Sequence, residues 1–150
     1  MFLKYWAMGK RIAICLFMFG SLFCEAQFSL TWKELQMTQY EIIAKGENAG
    51  LYLAKFQESI EVFENQEVVI AGFIVPVDIE KNLYALSLNP FTSCFFCGNA
   101  GPNTVIELSF SKKQSKFLVD QYVIIKGVFS LNRNNPNELF FKISEAKIHG

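Results

Sequence analysis

Beyond Glu64 the chain breaks into short runs of β-branched and aromatic residues bounded by Asn, Pro, Gly and Asp, and five of these have strand length: 67–75, 83–88, 104–110, 122–131 and 139–148. The third alternates, with Ile106, Leu108 and Phe110 on one side and Glu107 and Ser109 on the other. The fifth sets Leu139, Phe141 and Ile143 against Lys142 and Ser144, so both read as strands with one wet face. Gly72 and Gly127 interrupt the two longest apolar strands near their middles, where Gly marks a bend or bulge. The link 111–121, with Lys112, Lys113 and Lys116 around Phe117 and Leu118, is long enough for a short helix. Five strands, two of them bent, with a helical link between the third and fourth, predict an all-β, five-stranded OB-like Greek-key barrel with short helices. An immunoglobulin-like sandwich needs about seven strands, and the chain has no room for them.

Ahead of the barrel, 31–64 reads as a peripheral arm of turns and short helix. Thr31 with Glu34 three residues on forms a capping pattern, and Phe56, Ile60 and Phe63 share one face at helical spacing. Large apolar groups in the arm, Trp32 and Phe56, are expected to pack on the barrel, because in water they would form an aggregation-prone patch. Earlier still, Lys4, Lys10 and Arg11 precede an uncharged run of twelve residues, 12–23, and Cys24-Glu25-Ala26 follows. That is a secretory signal with cleavage after Ala26: the run is short of the ~20 residues a permanent span needs. A lipidated Cys24 is the rival, set against the bulky Phe23 before it. The expected organisation is a signal peptide over 1–26, an arm over 27–57 and the barrel domain over 58–150, exported to the periplasm or cell envelope with no stable membrane span after cleavage.

With 150 residues there is room for one core, and 51% hydrophobic against 19% charged residues excludes a disordered chain. Cationic and anionic groups number 14 each, and losing Lys4, Lys10, Arg11 and Glu25 with the leader leaves a net charge of −2. Such a chain has no field for a polyanion, and nucleic acid is not an expected partner. The same cut removes Cys15 and Cys24, leaving Cys94 and Cys97 as the thiols of the mature protein.

Those two lie in the connection 89–103, fifteen residues where antiparallel neighbours usually need about 2–5. Cys94-Phe-Phe-Cys97 has three readings: a disulfide that pins the loop, a grip on a soft cation such as Zn or Cu, or a redox dithiol. A metal would need further ligands, for which Glu107, Asp78 and His149, the one histidine of the chain, are candidates. Gly98-Asn-Ala-Gly-Pro102 does not resemble the helix start that activates a redox thiol. No nucleophile-elbow pattern supports a hydrolase, and Glu58, Glu61, Glu64 and Glu67, every third residue, read as a solvated face.

Gly72-Phe-Ile-Val-Pro-Val77, Leu86-Ser-Leu-Asn-Pro90, and Ser93-Cys-Phe-Phe-Cys-Gly98 running on through Gly101-Pro-Asn-Thr-Val-Ile106 resemble a family of small exported bacterial proteins classed as a domain of unknown function. The resemblance spans about residues 30–148. It implies an OB-like domain, with partners among ABC-transporter components linked to zinc or other metal uptake, or another envelope protein, and it brings no activity with it. Some relatives carry Cys-x-His in this loop; counting back from Asn103 puts Cys94 at their Cys and Phe96 at their His, with Cys97 as a substitute soft donor. The expected function is a non-enzymatic, exported accessory protein holding Zn or Cu through Cys94 and Cys97. A structural interaction module and a thiol redox protein stand as the alternatives.

Overall fold

The computed structural model describes residues 28–90, 101–114 and 117–149. Its elements are β1 (Phe28–Ser29), α1 (Trp32–Gln36), β2 (Gln39–Ile42), β3 (Tyr52–Lys55), α2 (Glu58–Glu61), β4 (Glu67–Asp78), β5 (Leu83–Ser87), β6 (Val105–Phe110), β7 (Tyr122–Leu131) and β8 (Phe141–Ile148). A 3-10 turn over Pro102–Thr104 leads into β6. Strands β4, β5, β6, β8 and β7 follow one another in the sheet, and β4 also pairs with β7, which closes a five-stranded barrel. The β6–β8 pairing is parallel and the others within the barrel are antiparallel, as in an OB-like Greek key. β1 adds a parallel strand on β4, with Phe28 beside Val68.

β4 serves two neighbours because it bends. Glu67 to Phe73 pair with β7, and Phe73 to Asp78 pair with β5. Gly72 stands at the changeover, where an added Cβ would lie 2.8 Å from the Ser87 carbonyl oxygen and 3.0 Å from the Trp32 ring. Gly127 marks the corresponding irregularity between β7 and β8. In β8 the alternation expected from sequence holds through Phe141 and Ile143, then changes phase: Glu145 adopts φ 52° and Ala146, not Glu145, turns inward. A non-glycine residue in the left-handed region is a bulge residue, and the extra position lets β8 coil around the barrel.

The core is built from the inward positions of all five strands. Ile74, Leu86, Ile106, Leu108, Ile125, Phe129, Phe141 and Ile143 are each shielded completely from solvent. Burying such a side chain contributes about 1.5–3 kcal/mol. The arm shares that core. Thr31 caps α1 through a reciprocal box with Glu34, Leu35 is fully buried, and the Trp32 indole Nε1 donates to the Ala71 carbonyl at 2.7 Å. Phe56 packs on Phe141 with ring centres 6.0 Å apart. Trp32 and Phe56 therefore do cover the barrel as expected.

Three expectations need correction. The arm is not only turns and helix: β2 and β3 pair as an antiparallel hairpin from Gln39–Lys55 to Ile42–Tyr52, and Gly46 and Gly50, at φ 94° and 90°, shape its loop. Tyr40, Tyr52 and Ala54 sit among too few alternating positions for period 2 to stand out. The link between β6 and β7 forms bends and turns, not a helix, at its described residues. Phe117 holds it down, with its ring 5.3 Å from Tyr84 and 5.7 Å from Phe110. The last strand begins at Phe141, not Leu139, because Asn132 gathers the preceding backbone into a loop.

Candidate functional site

Period 2 sends Ile74, Tyr84, Leu86, Ile106 and Leu108 into the core, so their neighbours in sequence must form the outer face of β4, β5 and β6. On that face Val75 pairs with Ala85, Ala85 with Glu107, and Glu107 with Lys142. The flanking rows add Val77, Leu83 and Val105. These are apolar groups where a wet face would carry polar ones, and Val77 is 60% exposed. The loop between β7 and β8 rises beside them and encloses a cleft of about 450 Å³, lined by Val75, Val77, Leu83, Tyr84, Ala85, Val105, Glu107, Asn137, Glu138 and Leu139. This volume falls in the range of about 300–1,000 Å³ that small-ligand sites occupy. The position, on the second and third barrel strands beside the last loop, is the ligand face of OB-like barrels.

The wall is held by one amide. Asn132 Nδ2 donates to the carbonyls of Asn135, Glu138 and Leu139 at 2.7, 3.3 and 3.2 Å, and Asn132 Oδ1 accepts from the Asn135 amide at 3.0 Å. Asn135 in turn donates to Glu138 Oε1 at 2.8 Å. Arg133, from the same loop, forks to Glu61 at 2.9 Å and Glu64 at 2.6 Å and lies over the Phe56 ring, tying the loop to α2. At the rim Lys142 Nζ is ion-paired closely with Glu138 and more loosely with Glu107, at 3.8 Å. The hydrogen bond from Lys142 holds the Glu138 carboxyl below the usual carboxylate range.

Of the residues singled out from sequence as metal ligands, Asp78, Glu107 and His149 are described, and these three are not brought together. Glu107 lies in the cleft. Asp78 ends β4, where its carboxylate accepts from the Lys81 amide at 3.1 Å and pairs with the Lys81 ammonium, and these bonds, the amide foremost, lower its pKa. His149 follows β8, with its amide donating to the Ile124 carbonyl at 2.9 Å. Among the described residues no three His, Cys, Asp or Glu side chains gather closely enough to hold a metal ion. Cys94 and Cys97 lie outside the described residues. What is described is the pinning of both ends of their connection. The Leu88 amide donates to the Thr104 carbonyl at 3.1 Å, Thr104 Oγ1 to the Gly101 carbonyl at 2.7 Å, and Asn103 Nδ2 to the carbonyls of Gln36 and Thr38 at 3.0 and 3.3 Å. The Pro-Asn after the Cys pair thus ties the connection to the arm.

The acidic series is a solvated face that is also ion-paired: besides the Arg133 fork, Glu67 meets Lys126 at 2.6 Å. Sequence reasoning missed the cleft, although the signal was present. The runs over 67–77 and 83–88 are apolar without alternation, which in a barrel means an outer face as oily as the inner one.

No family profile and no curated relative matches the sequence. Among solved structures, the chain is similar to a DUF3299 family protein of Pseudomonas aeruginosa PAO1, at TM-score 0.55 and 15% identity, covering 83% of this chain and 97% of that one. At that identity the likeness is one of fold. The neighbour belongs to a domain-of-unknown-function family. Among the described residues no helix is long and apolar enough to cross a membrane.

Proposed function

We propose that the protein is a non-enzymatic binding module of the cell envelope, exported by its N-terminal signal, and that the cleft between the outer face of β5–β6 and the β7–β8 loop receives its ligand. The observation that carries this reading is an apolar outer face, Val75, Val77, Leu83, Ala85 and Val105, walled by a loop that a single asparagine organises. A preformed apolar concavity with a few fixed polar groups is what a binding site needs. Ala85→Trp fills the cleft from its floor. The neutral apolar dye Nile red should brighten with the wild-type protein and not with the variant, while thermal unfolding confirms that the variant folds. Equal dye response in both would overturn the reading.

A second reading keeps Cys94 and Cys97 as soft ligands for Zn or Cu, supported by a fifteen-residue connection that carries the thiols remaining after residue 26. Asp78, Glu107 and His149 do not form a cluster among themselves. The pair would present two donors and leave the remaining positions to a partner, which suits transfer to a transporter component better than storage.

A further inference from the structure

The cleft has a sign. Its lining is apolar except for Tyr84, Asn137, Glu107 and Glu138, and both charged residues that line it are acids. Lys142 bridges these two carboxylates at the rim without itself lining the cleft. Two carboxylates against one ammonium leave a net charge of −1 facing an apolar hollow. Glu107 is the less satisfied of the two, since its contact with Lys142 is 3.8 Å, beyond hydrogen-bond length, whereas Glu138 also accepts from Asn135. An anionic ligand would meet both carboxylates before it met the lysine.

We propose that the cleft selects an amphiphilic cation: an apolar body laid on Val75, Ala85 and Val105 with an ammonium group at Glu107. This rests on the cleft being the binding site. The apolar wall supplies affinity that does not depend on charge, and Glu107 supplies the choice among ligands of equal apolar area.

The test uses three probes with the same hexyl chain, hexylammonium, hexanol and heptanoate, titrated calorimetrically at neutral pH into the protein without its leader. Hexylammonium should bind about tenfold more tightly than heptanoate, with hexanol between them, as a single net charge a few ångströms away in a partly solvated cleft requires. In the Glu107→Gln, Glu138→Gln double variant Lys142 is left uncompensated, the rim becomes positive, and the order should reverse. Both substitutions are isosteric and at exposed or half-exposed positions, so folding is retained. Acetyl-Leu-Leu-Lys-amide binding more tightly than hexylammonium would assign the cation to a lysine-bearing segment of a partner protein, and the reverse order to a free amine, each supporting the cationic class. Heptanoate equal to or tighter than hexylammonium on the wild type, or an unchanged order in the double variant, overturns the proposal. Failure of the cleft itself looks different: hexanol would not bind, or would bind Ala85→Trp equally well.

Discussion

Adding one methyl group at Gly127 tests how the barrel closes. A Cβ there would stand 2.6 Å from Ile143 Cγ2 and 2.7 Å from the Ser144 carbonyl oxygen, where ordinary contact begins at 3.4 Å. Both neighbours must therefore retreat by 0.7 Å or more. Neither is free to do so: Ile143 is fully buried, and Ser144 is backbone in register with Val128 at the β8 bulge. Overpacking of this kind costs about 1–3 kcal/mol, and disturbing a ladder bond adds about 1 kcal/mol. The restricted unfolded chain of an Ala variant returns only about 0.4–1 kcal/mol. Gly127→Ala should thus lose about 2 kcal/mol, or a fall in Tm of about 8 °C for a domain of this size. Trp32, the single tryptophan from residue 27 onward, reports unfolding in urea by its fluorescence. Gly46→Ala is the control, because φ there is 94° but nothing lies within 4 Å, so it incurs backbone strain alone, about 1 kcal/mol. If Gly127→Ala loses no more stability than Gly46→Ala, the close approach of β7 to β8 does not constrain the barrel and the reasoning fails.

Two further outcomes follow from the site. Asp78 and Glu138 both titrate below the usual carboxylate range, through bonds from the Lys81 amide and the Lys142 ammonium respectively, so folding binds fewer protons than the unfolded chain does. Their stabilisation is complete above the unfolded-state values near pH 4–4.5 and is lost as pH falls through the lower folded-state ones, so Tm should decline below about pH 4.5, and less steeply in an Asp78→Asn, Glu138→Gln variant; superimposable acid limbs would contradict this. For the thiols, the reduced protein dialysed against Zn or Cu(I) and then buffer should retain about one ion per chain that the Cys94→Ser, Cys97→Ser variant lacks, and equal metal content in the two would remove the metal reading.

The barrel was legible because its strands are long, β-branched and broken by glycine where they must bend. Alternation marked β6 and the start of β8, and the bounding Gly, Pro, Asn and Asp marked β4, β5 and β7. The helix cap at Thr31 was legible for a related reason: its pattern is local and reciprocal, needing only Glu34 three residues away. The β2–β3 hairpin was not, since four-residue strands with exposed Tyr40, Ile42 and Tyr52 take their pairing from a loop with two positive-φ glycines rather than from a hydrophobic face. The bulge at Glu145 left no trace either, because glutamate has no preference for left-handed backbone and is held there by the strands on either side. The cleft failed for a third reason. Which outer positions face a loop and which face water depends on tertiary closure, and Asn132, whose side chain sets that loop, reads in sequence as one more asparagine in Asn132-Arg-Asn-Asn-Pro-Asn137.

The arm changes what counts as the domain. Leu30 and Leu35 belong to the same buried cluster as Ile74, Leu86 and Phe141, and the Trp32 indole bonds across to Ala71 in the middle of β4. The space Trp32 occupies exists because residue 72 has no side chain, so the strongest bend of the barrel and the anchor of the arm share one structural cause. Asn103 then bonds the carbonyls of Gln36 and Thr38 at the end of α1, which fixes the exit of the Cys94–Cys97 connection to the arm rather than to the barrel strands alone. The cleft on one side of β5 and β6 is walled by a loop that Asn132 organises, and the exit of connection 89–103 between the same two strands is fixed by Asn103 to the end of α1. Because different side chains set the two, Asn132 the cleft wall and Asn103 the exit of the connection, a substitution on the cleft floor and one at the thiols leave each other's support in place, which is why the cleft and the thiols can be tested apart.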